Sequence, residues 1–314
     1  MRLFDWHCDT ATVCESRGGS LLCNPYHWDI FRANELFEQW IQATALFVDD
    51  TLSCDDAWYY VKRMLSFVHQ EMDCVSGVSQ IRPTIGFDES RGGIFLGVEN
   101  GSLLYNDLSR LEYLAQCGVI YITLTWNGQN PLGNGCLSSD KSGLTSFGKK
   151  AVKRMYDLGV LPDVSHLNEA GFWDVVACGE GEPVIATHSL SATVHAHPRN
   201  LSDDMFKAVR DSGGIVGLHL CENHLGEQTF EQLERHWYHF LMLDGIQTVA
   251  LGMDLDGTSV RDDWRGIRVA PRFYEYLLRK GYKEKWIDEL FFKNSFDFFT
   301  KTLTSNKKCI RIGT

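Results

Sequence analysis

The chain has 314 residues, a formal net charge of −11, 44% hydrophobic residues and 23% charged ones. Such a composition is that of an ordinary globular protein, and an acidic balance without a basic cluster argues against nucleic acid or an anionic membrane as partner. No run approaches the ~18 uninterrupted apolar residues of a membrane helix. The opening MRLFDWHCDT has neither the charged nor the apolar region of a secretory signal, so a cytoplasmic protein is expected.

Strand-like and helix-like segments alternate from end to end, the pattern of a parallel sheet with crossover helices. RLFDWH (2–7) reads as the first strand, followed by a long stretch, 10–28, expected as a loop over the active face. IQATALFV (41–48) is the second strand, and DDAWYYVKRMLSFVHQEM (55–72) carries apolar residues at helical steps. GIFLGVE (93–99) and VIYITLT (119–125) follow, separated by the helix pattern DLSRLEYLAQCG, and 126–144 reads as a second loop. FGKKAVKRMYDLG ends, like the helix before it, in a glycine just ahead of a strand. LPDVSH (161–166), PVIATHS (183–189), GIVGLHL (214–220) and TVALGMDLD (248–256) complete a set of eight. Between the sixth and seventh, Ser202 with Asp203 and Asp204 forms a helix N-cap. PRFYEYLLRKGY and KWIDELFFKNSFDFF read as helices finishing the structure. Eight such strands predict a (β/α)8 TIM barrel, and without a low-complexity linker residues 1–314 form one domain.

Ten cysteines, at 8, 14, 23, 54, 74, 117, 136, 178, 221 and 309, form no CxxC pair and read as reduced thiols. Acidic and histidine residues close several of the strands, and strand C-terminal ends converge on one face of a barrel. In H-x-D, His7 and Asp9 point to one side of an extended chain and present an imidazole and a carboxylate together. The same alternation turns Cys8 away and puts Asp5 on the shared face, one layer deeper. Glu99 ends an apolar run, where a buried carboxylate needs a positive partner, and a glutamate can bridge two cations. His166 and His188 end successive strands, while His27, His69, His236 and His239 fall in loop or helix patterns. Asp254, at the end of the last strand, is placed to move a proton to a leaving amine, with Asp256 a weaker candidate. Arg199, in the loop after the sixth strand, is placed to hold a substrate carboxylate. These residues together predict a site for one or two divalent metals and a metal-dependent hydrolase.

At these residues the chain resembles the membrane (renal-type) dipeptidase family, the M19 metallopeptidases of the amidohydrolase-like barrels. The resemblance covers nearly the whole chain and is carried by DWHCDT, GVENG, LTSFGKKAVKRMYDLGVLPDVSH, PVIATHSLSATVHAHPRNLSDDMFKAV with GGIVGL, and GMDLDG. It implies a TIM barrel with two zinc ions, one on His7 and Asp9, the other on His166 and His188, with Glu99 between them. It also implies Asp254 as the acid/base carboxylate, Arg199 as the anchor of the substrate carboxylate, and hydrolysis of dipeptides, often with a D-residue at the C-terminal position. The nucleophile expected there is a metal-bridging hydroxide. A homodimer is left open.

One position departs from the family. Where its members usually carry a substrate-contacting histidine in a Thr-His-Asn context, this chain reads TLTWNGQN and has Trp126. An indole N–H donates one hydrogen bond but carries no charge, and its bulk fills part of a pocket. The alternatives are therefore the same metal site acting on another small amide, lactam or ester, or a non-catalytic metal- or ligand-binding homologue. His219, after the seventh strand, is a substitute donor to be considered.

Overall fold

The structure, a computed structural model, describes residues 1–82 and 91–305. Eight parallel strands form it: β1 (Arg2–Asp5), β2 (Gln39–Phe47), β3 (Gly92–Glu99), β4 (Val119–Thr123), β5 (Leu161–Asp163), β6 (Ile185–Ala186), β7 (Ile215–Leu218) and β8 (Val249–Leu251). Each pairs with the next, and Asp5 pairs with Leu251 to close the ring. Helices lie between the strands, so this is the closed (β/α)8 barrel that the alternation predicts.

Two apolar layers hold it together. The outer one lies between strands and helices, as the one-sided pattern of the helices demands: in Cys54–Asp73 the buried residues are Ala57, Val61, Met64, Leu65, Val68 and Met72. The inner one fills the barrel with Phe4, Trp6, Ile41, Phe95 and Tyr121. Tyr121 can cross the barrel because its neighbour on β3 is Gly97, where a Cβ would sit 2.0 Å from the tyrosine ring.

The C-terminal helices finish the barrel by stopping its N-terminal mouth. Phe292, Phe298 and Phe299 join the inner cluster, and Trp6 Nε1 donates to Ser295 Oγ at 2.9 Å. Asn294 Nδ2 donates to the carbonyls of Ile246 and Val249 at 2.7 and 2.8 Å. The opposite mouth, at the strand C-terminal ends, is left for chemistry.

The helix signals hold. Ser202 Oγ accepts from the Met205 amide at 3.3 Å, and Gly159 closes Ser146–Leu158 at φ +71°. Both expected loops carry some regular structure. The stretch 10–28 opens with a helix, Thr10–Arg17, because Asp9 turns the chain directly into it, and 126–144 contains a short hairpin of Gln129–Asn130 with Gly133–Asn134. A short strand, Val78–Gln80, also pairs with the start of β3. The nine described cysteines are unpaired, and Cys309 lies outside the described residues. Among the described residues no helix is long and apolar enough to cross a membrane.

Candidate metal centre and active site

The strands are shorter than their apolar runs, and most candidate residues sit just past the last ladder pair. His7 follows the end of β1, His166 that of β5, His188 that of β6 and Asp254 that of β8, while Glu99 is the last residue of β3. Freed from the ladder, the backbone takes conformations no strand allows: φ is +68° at His166, +61° at Asp254 and +65° at Asp256. Non-glycine residues held there cost roughly 1–3 kcal/mol each, and such strain clusters at functional sites.

The bend after β1 also breaks the two-residue alternation. Phe4 and Trp6 both join the inner cluster, yet His7, next to Trp6, faces the barrel interior too. Asp5 therefore does not sit in a deeper layer of the same face. Its Oδ1 accepts from the Met253 amide at 2.7 Å and its Oδ2 from Gln42 Nε2 at 2.8 Å, so it is a structural clamp between β1, β2 and the end of β8. Cys8 is turned away as expected, into the outer layer.

Glu99 is the hub. His7 Nε2 lies 3.1 Å from its Oε2, and His166 and His188 Nε2 lie 3.1 and 3.5 Å from its Oε1. His166 and His188 Nε2 are 2.9 Å apart, and Asp9 Oδ2 is 3.5 Å from His7 Nε2. Donor atoms of His7, Glu99 and His188 lie within 4.8 Å of one another, as do those of His7, Asp9 and Asp254. The five expected ligands are thus brought together. His7 lies beside Asp9 and His166 beside His188, while His188 is also close to His7 and Asp254 to Asp9.

The far side of each ring is committed. Thr187 Oγ1 donates its single proton to Asp163 Oδ2 at 2.6 Å, so it accepts from His188 Nδ1–H at 2.9 Å. Tyr121 OH donates to the Trp6 carbonyl at 3.2 Å and accepts from His7 Nδ1–H at 3.3 Å. Asn127 Oδ1 accepts from His166 Nδ1–H at 3.1 Å. In this arrangement each Nδ1–H has an acceptor and all three Nε2 atoms face the centre, so Nε2 is the nitrogen each ring would offer to a metal.

The donor set fits divalent cations. Both oxygens of Asp9 are buried without a hydrogen-bond partner, a costly state for a carboxylate unless a cation joins it. Burial raises the Asp9 pKa to about 6, against the pull of His7. Burial acts the same way on Glu99, but His7, His166 and His188 outweigh it and hold the carboxyl well below its usual range. Burial, reinforced by Arg199, lowers His166 to about 4, and burial with His7 lowers His188 far below 6.5, so both rings are neutral at pH 7.

A cavity of about 400 Å³ opens above this cluster, lined by Glu99, His166, Asp254, Phe47 and Trp126 among others. Trp126 is half-buried and packs edge-on against Phe47, with ring centroids 5.1 Å apart. Asp256 lies beside the centre in another role: it accepts from Thr10 Oγ1 and from the His27 amide, pinning the segment after Thr10–Arg17. Arg199 is only 4% exposed, so it is no surface arginine. Its Nη1 donates to Ser189 Oγ at 3.0 Å and its Nη2 to the His188 carbonyl at 2.7 Å, while Nε–H has no partner.

Sequence reasoning missed Asp163, Thr187, Asn127 and Tyr121, which orient the rings. The signal was faint but present: Thr187 precedes a candidate histidine, and Asp163 is a carboxylate inside a strand reading LPD. The chain also packs Gly252 against this network, where a Cβ would meet the Thr187 carbonyl at 1.7 Å.

A family model described as membrane dipeptidase (peptidase family M19) matches residues 3–309. The chain is 32% identical over 197 residues, 59% of its length and 72% of the relative's, to an uncharacterized protein in the pqqA 5′ region of Klebsiella pneumoniae. The barrel is similar, at a TM-score of 0.86 and 21% identity over 96% of this chain and 99% of the other, to a metallopeptidase from Rhodobacter sphaeroides liganded with a phosphinate mimic of L-Ala-D-Ala. It is similar at 0.83 and 18% identity, over 97% and 96%, to the probable dipeptidase PvdM from Pseudomonas aeruginosa. With a barrel of this kind, a cluster of histidines and carboxylates at its open mouth, and a family match that spans the chain, the protein belongs to the membrane dipeptidase family M19 and is a metal-dependent hydrolase.

Proposed function

We propose that this protein is a single-domain, cytoplasmic dipeptidase that works with two zinc ions and tolerates a D-residue at the C-terminal position of its substrate. The observation that carries the metal reading is the convergence of three Nε2 atoms on carboxylates, one of which, Asp9, has no hydrogen-bond partner. His7 and Asp9 would hold one ion, His166 and His188 the other, with Glu99 shared. When bound, such ions supply Lewis acidity toward the scissile carbonyl and lower the pKa of water.

The remaining steps fall to the chain. Asp254 faces the cavity, and burial raises its pKa well above the usual carboxylate range, which suits a group that takes a proton and returns it to the leaving amine. Arg199 supplies buried positive charge beside His188, and with N–H groups still unpartnered, Nε–H among them, it would hold a substrate carboxylate. Trp126 and Phe47 form an apolar wall that narrows the space beside His166. The L-Ala-D-Ala mimic bound by the Rhodobacter protein supports the stereochemical part of the proposal.

Trp126 also favours a second reading, a small amide, lactam or ester as substrate, because the position lacks a chargeable donor. The test is a panel of L,L-, L,D- and D,D-dipeptides, their C-terminal amides, and acylated amino acids, on protein of measured zinc content. Hydrolysis of free dipeptides but not of their amides supports the proposal. Turnover of acylated amino acids alone moves the assignment to the second reading, and no turnover by loaded protein rejects both.

A further inference from the structure

His219 stands just past β7, fully enclosed, with neither ring nitrogen hydrogen-bonded. A buried polar group without a partner costs ~1–3 kcal/mol, so packing alone gives no reason for an imidazole where a leucine would serve. Its neighbours supply one. His188 lies against it edge-on with centroids 5.8 Å apart, His224 at 5.0 Å, and Asp254 Oδ2 is 3.9 Å from its Nδ1. An imidazole enclosed in this way, with no hydrogen-bonded carboxylate to stabilise a positive charge, is held as the neutral ring and carries one N–H.

Asp254 has two destinations. It belongs to the group with His7 and Asp9 whose donor atoms span no more than 4.8 Å, so it can serve as a further metal ligand. Alternatively it faces the cavity and carries a proton, as in the function proposed above. A carboxylate lying on a cation is a poor base, and the choice therefore decides whether the site turns over. A movement of about 1 Å by the Asp254 carboxylate would bring Oδ2 to hydrogen-bond distance from His219 Nδ1.

We propose that His219 is a positioning residue: its Nδ1–H holds one oxygen of Asp254 away from the His7–Asp9 metal position and so keeps the carboxylate free for proton transfer. This rests on the proton-transfer role proposed for Asp254.

The test compares full-length wild type, His219→Leu and His219→Gln, each loaded with Co²⁺ as a spectroscopic probe. In His219→Leu the visible Co²⁺ bands should weaken, as they do when a cobalt ion gains a ligand. Its kcat on the best dipeptide should fall roughly 10–100-fold at little changed KM, the range for an outer-shell residue. His219→Gln, which keeps a side-chain N–H, should recover the wild-type spectrum and most of kcat. An unchanged spectrum in His219→Leu, a loss confined to KM, or equal losses in both variants would overturn the assignment. If His219→Leu does not fold, His219→Met removes the same N–H, and failure of both to fold marks His219 as structural and also overturns it. Should wild type cleave no dipeptide, the functional reading falls while the cobalt spectra still decide the role of His219.

Discussion

Thr187→Val removes one hydroxyl at nearly constant volume, and the structure says what that hydroxyl holds. Its Oγ1 donates to Asp163 Oδ2 at 2.6 Å, accepts from His188 Nδ1 at 2.9 Å and lies 3.4 Å from His7 Nδ1. Asp163 keeps its bonds from Thr123 Oγ1 and from the amides of Ser165 and Thr187, so the carboxylate stays satisfied. His188 Nδ1–H does not: it is left buried without an acceptor, at a cost of ~1–3 kcal/mol to the metal-free fold. The same ring loses the partner that fixes its tautomer, and outer-shell losses of this kind weaken metal binding by roughly 10–100-fold, or ~1.4–2.8 kcal/mol. Chelator competition with zinc measures the affinity, and urea unfolding of the metal-free protein measures the stability. Weakened metal binding with a modest fall in stability is expected. If stability falls and zinc affinity stays within twofold of wild type, the tautomer argument is wrong and Thr187 is only a packing residue.

Asp254→Asn should keep zinc content nearly intact and lower turnover by about 10² or more, the usual general acid–base contribution, read by elemental analysis beside steady-state kinetics. Trp126→His should raise kcat/KM on dipeptides by up to ~10²–10³, what one oxyanion donor can supply, and no change would leave Trp126 as a wall of the cavity only. His236 gives a pH signature of the fold. Its Nδ1 accepts from the Ser191 amide and its Nε2 donates to the Leu225 carbonyl, and burial lowers its pKa from 6.5 to about 4. The unfolded chain takes up this proton first, so wild type should lose stability as pH falls from 6.5 toward 4, by at most about 3 kcal/mol. His236→Asn should flatten that part of the pH–stability curve of the metal-free protein, and parallel curves would show that His236 is not its source.

Much of the architecture was legible because it is local. Alternating apolar runs and amphipathic segments, the Ser202 cap and the glycines before strands are decided by neighbours a few residues apart. The first half of the site followed from topology: once eight parallel strands close, their ends must meet, and His7, Asp9, Glu99, His166, His188 and Asp254 are carried to one mouth. Asp5 was misread for the reason that makes the site work. Strict alternation holds only while a residue stays in the ladder, and the chain leaves it after Asp5.

Arg199 shows the other limit. Its position in a loop was readable, but its burial against Ser189 and the His188 carbonyl depends on how that loop folds back over β6. Asn127, Thr187, Asp163 and Tyr121 act only through partners distant in sequence, as in the contact of Tyr121 with His7. Composition and periodicity by themselves determined the barrel and the residues delivered to its rim, because those depend on spacing along the chain. Only the tertiary structure decided which nitrogen of each histidine faces the centre and which carboxylate is left without a partner. Hydrogen bonds fix those properties at distances of about 3 Å, and that proximity exists only once the strands have closed.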